Sequence, residues 1–163
     1  MKPTDPSLLT INGGSSSIRF AVYQVGEALE RRLHGKIDRI GLSGTNLTVN
    51  DPAGKPQVPR RLAAADHRTA VDCLLDWLEA QPVFSSVKAA GHRVVHGMKH
   101  SRPERITPKL LAELRRITPY DPDHLRREIG LIEAFLRRYP RLPLRGLTAL
   151  LRRPRPNGLV AAW

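Results

Sequence analysis

Cysteine is nearly absent: Cys73 is the single example in 163 residues. It can form neither an intrachain disulfide nor a zinc knuckle, and a reducing, cytoplasmic setting is expected. Its neighbours Val71, Leu74 and Leu75 are apolar at helical spacing, a context in which cysteine reads as a small core residue rather than a nucleophile. Aromatic residues make up only 5% of the chain against 40% hydrophobic residues overall, so the core must be mainly aliphatic. No apolar run approaches the length of a membrane span, and the one behind Met1–Pro6 is too short for a secretory leader. Acidic residues stop at Glu133, whereas Arg137, Arg138, Arg141, Arg145, Arg152, Arg153 and Arg155 follow it. Much of the net charge of +12 therefore sits at one end. No helix-turn-helix, zinc-finger or RNP pattern accompanies that charge, and Phe135, Tyr139 and Trp163 are too few to form a stacking platform. These absences weigh against a nucleic-acid partner.

What is present reads as one α/β domain. Ser7–Asn12 is a short buried strand, and Gly13–Ser16 breaks it as a turn. Ser17–Gln24 returns as a second strand, so the pair forms a hairpin with a Gly/Ser tip. Leu29–Ile40 and Thr45–Val49 supply two more strands, and the proline-rich stretch Asp51–Arg60 is a loop. Asp66 is placed to cap a helix over His67–Ala80, where Ala70, Cys73, Leu74, Trp77 and Leu78 share one face. Val87–Val95 is a buried strand. Thr107–Pro108 opens a helix to about Arg116, Tyr120–Pro122 turns, and His124–Arg138 forms a further helix. Strands first and then alternating helix and strand predict a mixed sheet.

Two segments carry chemistry. The first is Asn12-Gly13-Gly14-Ser15-Ser16-Ser17-Ile18-Arg19. A tight turn of small residues exposes backbone N–H groups and lets a phosphate approach. The hydroxyls of Ser15 and Ser17 can donate to its oxygens, Arg19 adds positive charge, and the Asn12 amide oxygen suits Mg²⁺ or its water shell. It is not a Walker loop, because no Gly-Lys-Ser/Thr follows at the required spacing. Taken alone, it reads better as an ordinary hairpin tip. The second segment is Gly91-His92-Arg93-Val94-Val95-His96-Gly97. A guanidinium among apolar strand residues requires an anion, either a carboxylate of its own chain or a carboxylate or phosphate ligand. His92 and His96 share a strand face but lie roughly 13 Å apart by strand rise, too far to hold one zinc ion.

Both segments together, in this order, resemble the acetate kinase family. Its signatures are Asn-x-Gly-Ser-Ser-Ser with a basic residue after one hydrophobic position, and Gly-His-Arg-Val-Val-His-Gly. The helix after Pro122 is similar as well, and the resemblance runs from about Leu8 to Pro143. It implies the N-terminal domain of a ribonuclease-H-like, actin-like ATPase fold, incomplete in this chain. It also implies reversible phosphorylation of acetate or propionate by ATP with Mg²⁺, in a family that forms homodimers. By position, Asn12 would help place Mg²⁺, while Ser15, Ser17 and Arg19 would meet ATP. Arg93 would bind the substrate carboxylate or the transferred phosphoryl group, and Val95 would line the pocket for the substrate methyl.

The chain departs from the family at Gly13 (usually alanine), at Met98 (commonly glycine) and at Tyr120-Asp121-Pro122, where a histidine precedes Asn-Pro; His124 lies nearby. The family's next strand ends in Phe-Asp-Thr-Ala-Phe-His and carries the catalytic aspartate. Here Leu144–Leu151 contains no acid, so no catalytic residue is retained. From Leu142 the text alternates leucine, proline and arginine without period. The expectation is a domain over residues 7–143 and a disordered basic tail over 144–163, with a frameshift near Pro143 favoured over a natural flexible tail as its origin. Such a chain would be inactive alone. The alternatives are a non-catalytic pseudogene fragment and, lower, a basic nucleic-acid-binding protein.

Overall fold

The computed structural model describes residues 5–64, 66–94 and 102–148. Among these residues eight strands form one sheet: β1 Ser7–Gly13, β2 Ile18–Val25, β3 Leu29–Asp38, β4 Asn46–Asn50, β5 Arg60–Arg61, β6 Val87–Val94, β7 Glu104–Arg105 and β8 Leu144–Thr148. Their order is β5-β4-β3-β2-β1-β6-β8-β7. The β1–β5 half is an antiparallel meander, while β1, β6 and β8 run parallel to one another. The mixed sheet expected from the sequence is therefore present. No helix among the described residues is long and apolar enough to cross a membrane.

Among the described residues three α-helices accompany the sheet: α1 His67–Glu79, α2 Pro108–Ile117 and α3 Pro122–Arg138. Each starts where a short polar side chain satisfies its first orphan N–H groups. Asp66 caps α1 in a full capping box with Thr69, and Thr107 caps α2 ahead of Pro108. Asp121 caps α3, so Tyr120–Pro122 is the helix entry and α3 begins at Pro122 rather than His124. Helix α1 packs on α3, and α3 packs on β1 and β6. Arg138 braces the pair from outside, reaching Asp76 and Glu79 of α1 at 2.7 Å.

Strand alternation divides the sheet into two chemically different faces. Leu9, Ile11, Ile18, Phe20, Val22 and Ile37 point to the helices and are buried with Leu74, Leu78, Leu125, Leu131 and Ile132. The core is aliphatic as expected, with Phe135 its one fully buried aromatic among the described residues. Cys73 is free and packs against the margin of this core. Phe20 meets Trp77 of α1 at 5.4 Å between ring centroids. Opposite Phe20 on β3 is Gly35, where an added Cβ would lie 2.5 Å from the Thr48 carbonyl and 2.8 Å from the Phe20 ring. Glycine is required there by lack of space.

The sheet does not end at Pro143. Leu144–Thr148 pairs with β6 over Ala90–Val94 and continues antiparallel to β7. The tail expected from Leu144 therefore begins inside the fold. The reason is visible in the period: Leu144 is buried and Arg145 exposed, so a strand hides within an arginine- and leucine-rich stretch. Residues 149–163 lie outside the described residues.

His92 is the buried exception on the helix side. It is 2% exposed, sits edge-on to Phe135 at 5.0 Å, and neither ring nitrogen has a hydrogen-bond partner. Burial pushes its pKa down from 6.5 to about 3. In that window the unfolded chain holds a proton that the folded chain refuses, so stability falls as pH drops from 6.5 towards 3. The limiting slope is about 1.4 kcal/mol per pH unit. His92→Leu is expected to remove this part of the slope in urea denaturation series across the window; an unchanged slope would place the ring in water. Gly35→Val is expected to lower unfolding free energy by about 1–3 kcal/mol through overpacking, read from the same denaturation curves.

Candidate anion site at the carboxyl ends of two parallel strands

The register places the functional side chains one rung beyond the core. Ile11 of β1 pairs with Phe20 of β2 and His92 of β6, and all three face the helices. The next rung carries Arg19 of β2 opposite Asn12 of β1, with Arg93 of β6 beside Asn12. By alternation these three project from the opposite face. Both β1 and β6 end here, at the carboxyl edge where ligands bind in open α/β sheets.

Arg93 donates from Nη1 to Asn12 Oδ1 at 3.3 Å. It makes no ion pair with a carboxylate among the described residues. The core ion pair that the sequence left open is therefore not formed, and the guanidinium remains available to an anion. Asn12 is itself buried at 8% exposure, so its amide orients Arg93 without neutralising it.

The hairpin tip closes beside them. Gly14 N–H donates to the Ser17 carbonyl at 2.7 Å, and Ile40 N–H donates to the Ser16 carbonyl at 2.9 Å, tying the tip to the end of β3. A Cβ on Gly14 would lie 3.2 Å from Ser17 Oγ, and one on Gly13 would lie 3.3 Å from Leu131 of α3. Glycine at both positions keeps the turn close to β1 and to the helix. The Ser15 and Ser17 hydroxyls have no side-chain partner among the described residues, which leaves them free to donate.

These parts enclose a pocket of ≈ 330 Å³ lined by Asn12, Gly13, Gly14, Ser15, Ser17, Arg19, Arg93 and His124. Five of the predicted residues, Asn12, Ser15, Ser17, Arg19 and Arg93, thus meet in one place. Val95, the remaining predicted contact, lies outside the described residues, as do His96 and Met98. His124 joins the site from the first turn of α3. Its Nδ1 is 2.9 Å from Asp121 Oδ1, which leaves Nε2 as the ring nitrogen available to a ligand. Tyr120, at the position where the family has histidine, is 76% exposed and does not line the pocket. His124, noted in the sequence beside the departure at Tyr120-Asp121-Pro122, stands three residues beyond the cap, in the first turn of α3.

The lining includes no carboxylate. It supplies hydroxyl and guanidinium donors at fixed positions, which suits phosphate or carboxylate oxygens. The fit to Mg²⁺ is poorer. Asn12 Oδ1 already accepts from a cation, and no cluster of three acidic, histidine or cysteine side chains exists among the described residues. Such an ion would be held by ligand phosphates, with Asn12 reaching at most its water shell.

The fold is the α/β N-terminal domain of the actin-like ATPase class. The acetokinase family model matches residues 7–147, and the chain belongs to that family. It is 37% identical to a propionate kinase of Citrobacter freundii over 121 residues, covering 72% of this chain and 29% of that protein. It is 35% identical to an acetate kinase of Deinococcus radiodurans over 136 residues, covering 83% and 33%. The crystal structure of Porphyromonas gingivalis acetate kinase superposes with a TM-score of 0.76 at 25% identity, covering 88% of this chain and 37% of that one. A Francisella tularensis propionate kinase shares the fold, with a TM-score of 0.76 at 22% identity. The chain spans about a third of the length of the curated relatives it matches.

Asn12→Asp would set a carboxylate against Arg93 and fill the pocket's anion requirement from within. Affinity for inorganic phosphate, measured by calorimetric titration, is expected to fall by about tenfold or more. Unchanged affinity would mean that the ligand does not meet Arg93.

Proposed function

We propose that this chain forms one wall of an acetate kinase-type active site, for reversible transfer of the ATP γ-phosphoryl group to acetate or propionate. The observation that carries this reading is the meeting of Arg93 with the Ser15–Ser17 tip in a pocket without carboxylates. In that reaction a carboxylate oxygen of the substrate attacks the γ-phosphorus, the bond from γ-phosphorus to the β,γ-bridging oxygen breaks, and ADP leaves with the electron pair. The product is an acyl phosphate. Little covalent chemistry falls to the protein, so positioning and charge neutralisation dominate.

Within this reading each residue has a defined task. Arg93 holds the carboxylate or the phosphoryl oxygens in its fork, and Asn12 keeps the fork aimed. Ser15, Ser17 and the Gly14 turn cradle phosphate oxygens, with Arg19 at the outer edge. His124 adds a hydrogen bond through Nε2 while Asp121 holds the ring. Asn12 would reach at most the water shell of a Mg²⁺ ion carried in by the nucleotide, an ion that would supply neutralisation of phosphate charge. The family resemblance implies that Val95 would meet the methyl group of the acid. The cytoplasm, where the nucleotide is abundant and the lone thiol stays reduced, is the compartment that suits this chemistry.

The same reading makes the wall a binder rather than a catalyst. No carboxylate lines the pocket, and β8 carries none over Leu144–Thr148, where the family places its catalytic aspartate. A single wall excludes little water from a transferring phosphoryl group. Purified chain supplied with ATP, Mg²⁺ and acetate is expected to release no ADP in a coupled assay. The same chain is expected to bind acetyl phosphate, with Arg93→Gln weakening that binding by about tenfold or more and His124→Ala by less. Turnover near that of a full-length acetate kinase would refute the incomplete-wall reading; absence of acetyl phosphate binding would refute the site.

A further inference from the structure

On the helix side of the sheet, away from the Arg93 pocket, α1 and α3 leave a groove of ≈ 480 Å³. Arg68 lines it from α1, and Arg126, Arg127 and Arg137 line it from α3. None of the four forms an ion pair with a carboxylate among the described residues. Two carboxylates also line the groove, Asp72 and Glu133. Glu133 is engaged by Arg115 of α2 at 2.5 Å, from outside the groove. Asp66 feels the charge of Arg68, but its carboxylate is held by the Thr69 backbone and hydroxyl as the cap of α1. Four guanidiniums against two carboxylates give the groove a net positive lining, which favours an anion.

Two further observations point to a ligand. His67 lines the groove, and its Nε2 is buried without a hydrogen-bond partner. Its pKa is lowered first by burial and then by the charge of Arg127, so the groove's positive field reaches the ring. Gly130 stands on the groove side in the middle of α3, where glycine weakens a helix. A Cβ there would meet nothing within 4 Å. Close packing therefore does not require this glycine; what it provides is open floor between Arg126 and Arg137.

We propose that this groove is a second anion site, taking a small molecule with two or more phosphoryl groups, clamped between Arg68 on one helix and Arg126, Arg127 and Arg137 on the other. Guanidinium forks meet phosphate oxygens two at a time, and the volume falls within the range of small-molecule sites. The inference stands apart from the phosphotransferase reading, because it uses neither Arg93 nor the hairpin tip.

The test is calorimetric titration of inorganic tripolyphosphate into the full 163-residue chain at low salt. A saturable site that persists in Arg93→Gln is expected, in addition to phosphate binding at the Arg93 pocket. The double variant Arg126→Gln/Arg127→Gln should weaken it by about tenfold or more, and Arg93→Gln should leave it unchanged. Gly130→Gln fills the floor without removing charge and should weaken binding similarly, whereas Gly130→Ala should bind normally and unfold at a higher temperature. Absence of saturable binding overturns the proposal. So does loss of binding in Arg93→Gln with retention in the arginine pair, which would place the anion in the other pocket. Normal binding by folded Gly130→Gln overturns the assigned position, and tighter competition by a DNA duplex overturns the small-ligand class. Should Gly130→Gln fail to fold, the arginine pair and Arg93→Gln decide the matter.

Discussion

The parallel pairing of β1 with β6, in the register that sets Ile11 beside His92, is the constraint on which the molecule's organisation rests. Strand side chains alternate with period two, so fixing one rung fixes both faces. With Ile11 and His92 committed to the helices, Asn12 and Arg93 must emerge on the other side, and the antiparallel pairing of β1 with β2 brings Arg19 into the same row. A slip of one residue would bury the guanidinium against Phe135 and expose the apolar rung. The core thus specifies the site: burial of the aliphatic face is what holds three polar side chains of three strands in line.

That arrangement leaves a local debt. Arg93 is half-buried and its recorded partner is a neutral amide. An internal carboxylate would satisfy it better, since a charge-assisted pair is stronger than a bond to an amide oxygen, but would also cancel its field. Asn12 supplies direction without charge. Polar residues that destabilise a fold slightly while remaining poised for a ligand are a mark of binding sites. On the opposite face His92 has the converse treatment, an imidazole kept neutral by burial and orthogonal to a phenyl ring. Neighbouring residues of one strand therefore end in opposite electrostatic states for one reason, the alternation of the backbone.

Much of this was legible in the sequence because the signals were local. Strands β1, β2, β4 and β6 follow from short apolar or alternating runs and β3 from the spacing of Leu33 and Ile37, and the capping residues Asp66 and Thr107 mark the starts of α1 and α2. The two motifs located five of the pocket residues. What escaped depends on partners distant in the chain. The strands Arg60–Arg61 and Glu104–Arg105 are too short to carry a period and exist only because an edge is there to pair with. Strand β8 was masked by composition: arginine and proline nearby look like unselected text, yet Leu144 enters the core and Arg145 stays outside. His124 was seen but not placed, since the sequence does not show that Asp121 turns the entry of α3 towards the hairpin tip.

The two faces also differ in how complete they are. The helix face closes upon itself: Leu9, Ile11, Leu74, Leu78, Leu125 and Phe135 are fully buried by elements of this chain. The face bearing Arg93 asks for less cover, because Thr10, Ala21, Ala89 and Gly91 on it are small or polar; the paired Leu8 and Tyr23 are larger, and Leu8 is 36% exposed. Hydrophobic burial scales with apolar area, so a second wall would add little to the stability of this one. Phosphoryl transfer is the opposite case, since it needs water excluded and charge neutralised from both sides of the transferring group. Stability is thus local to the wall while catalysis is not. Such a domain can keep an anion pocket in working geometry whether or not it completes a reaction.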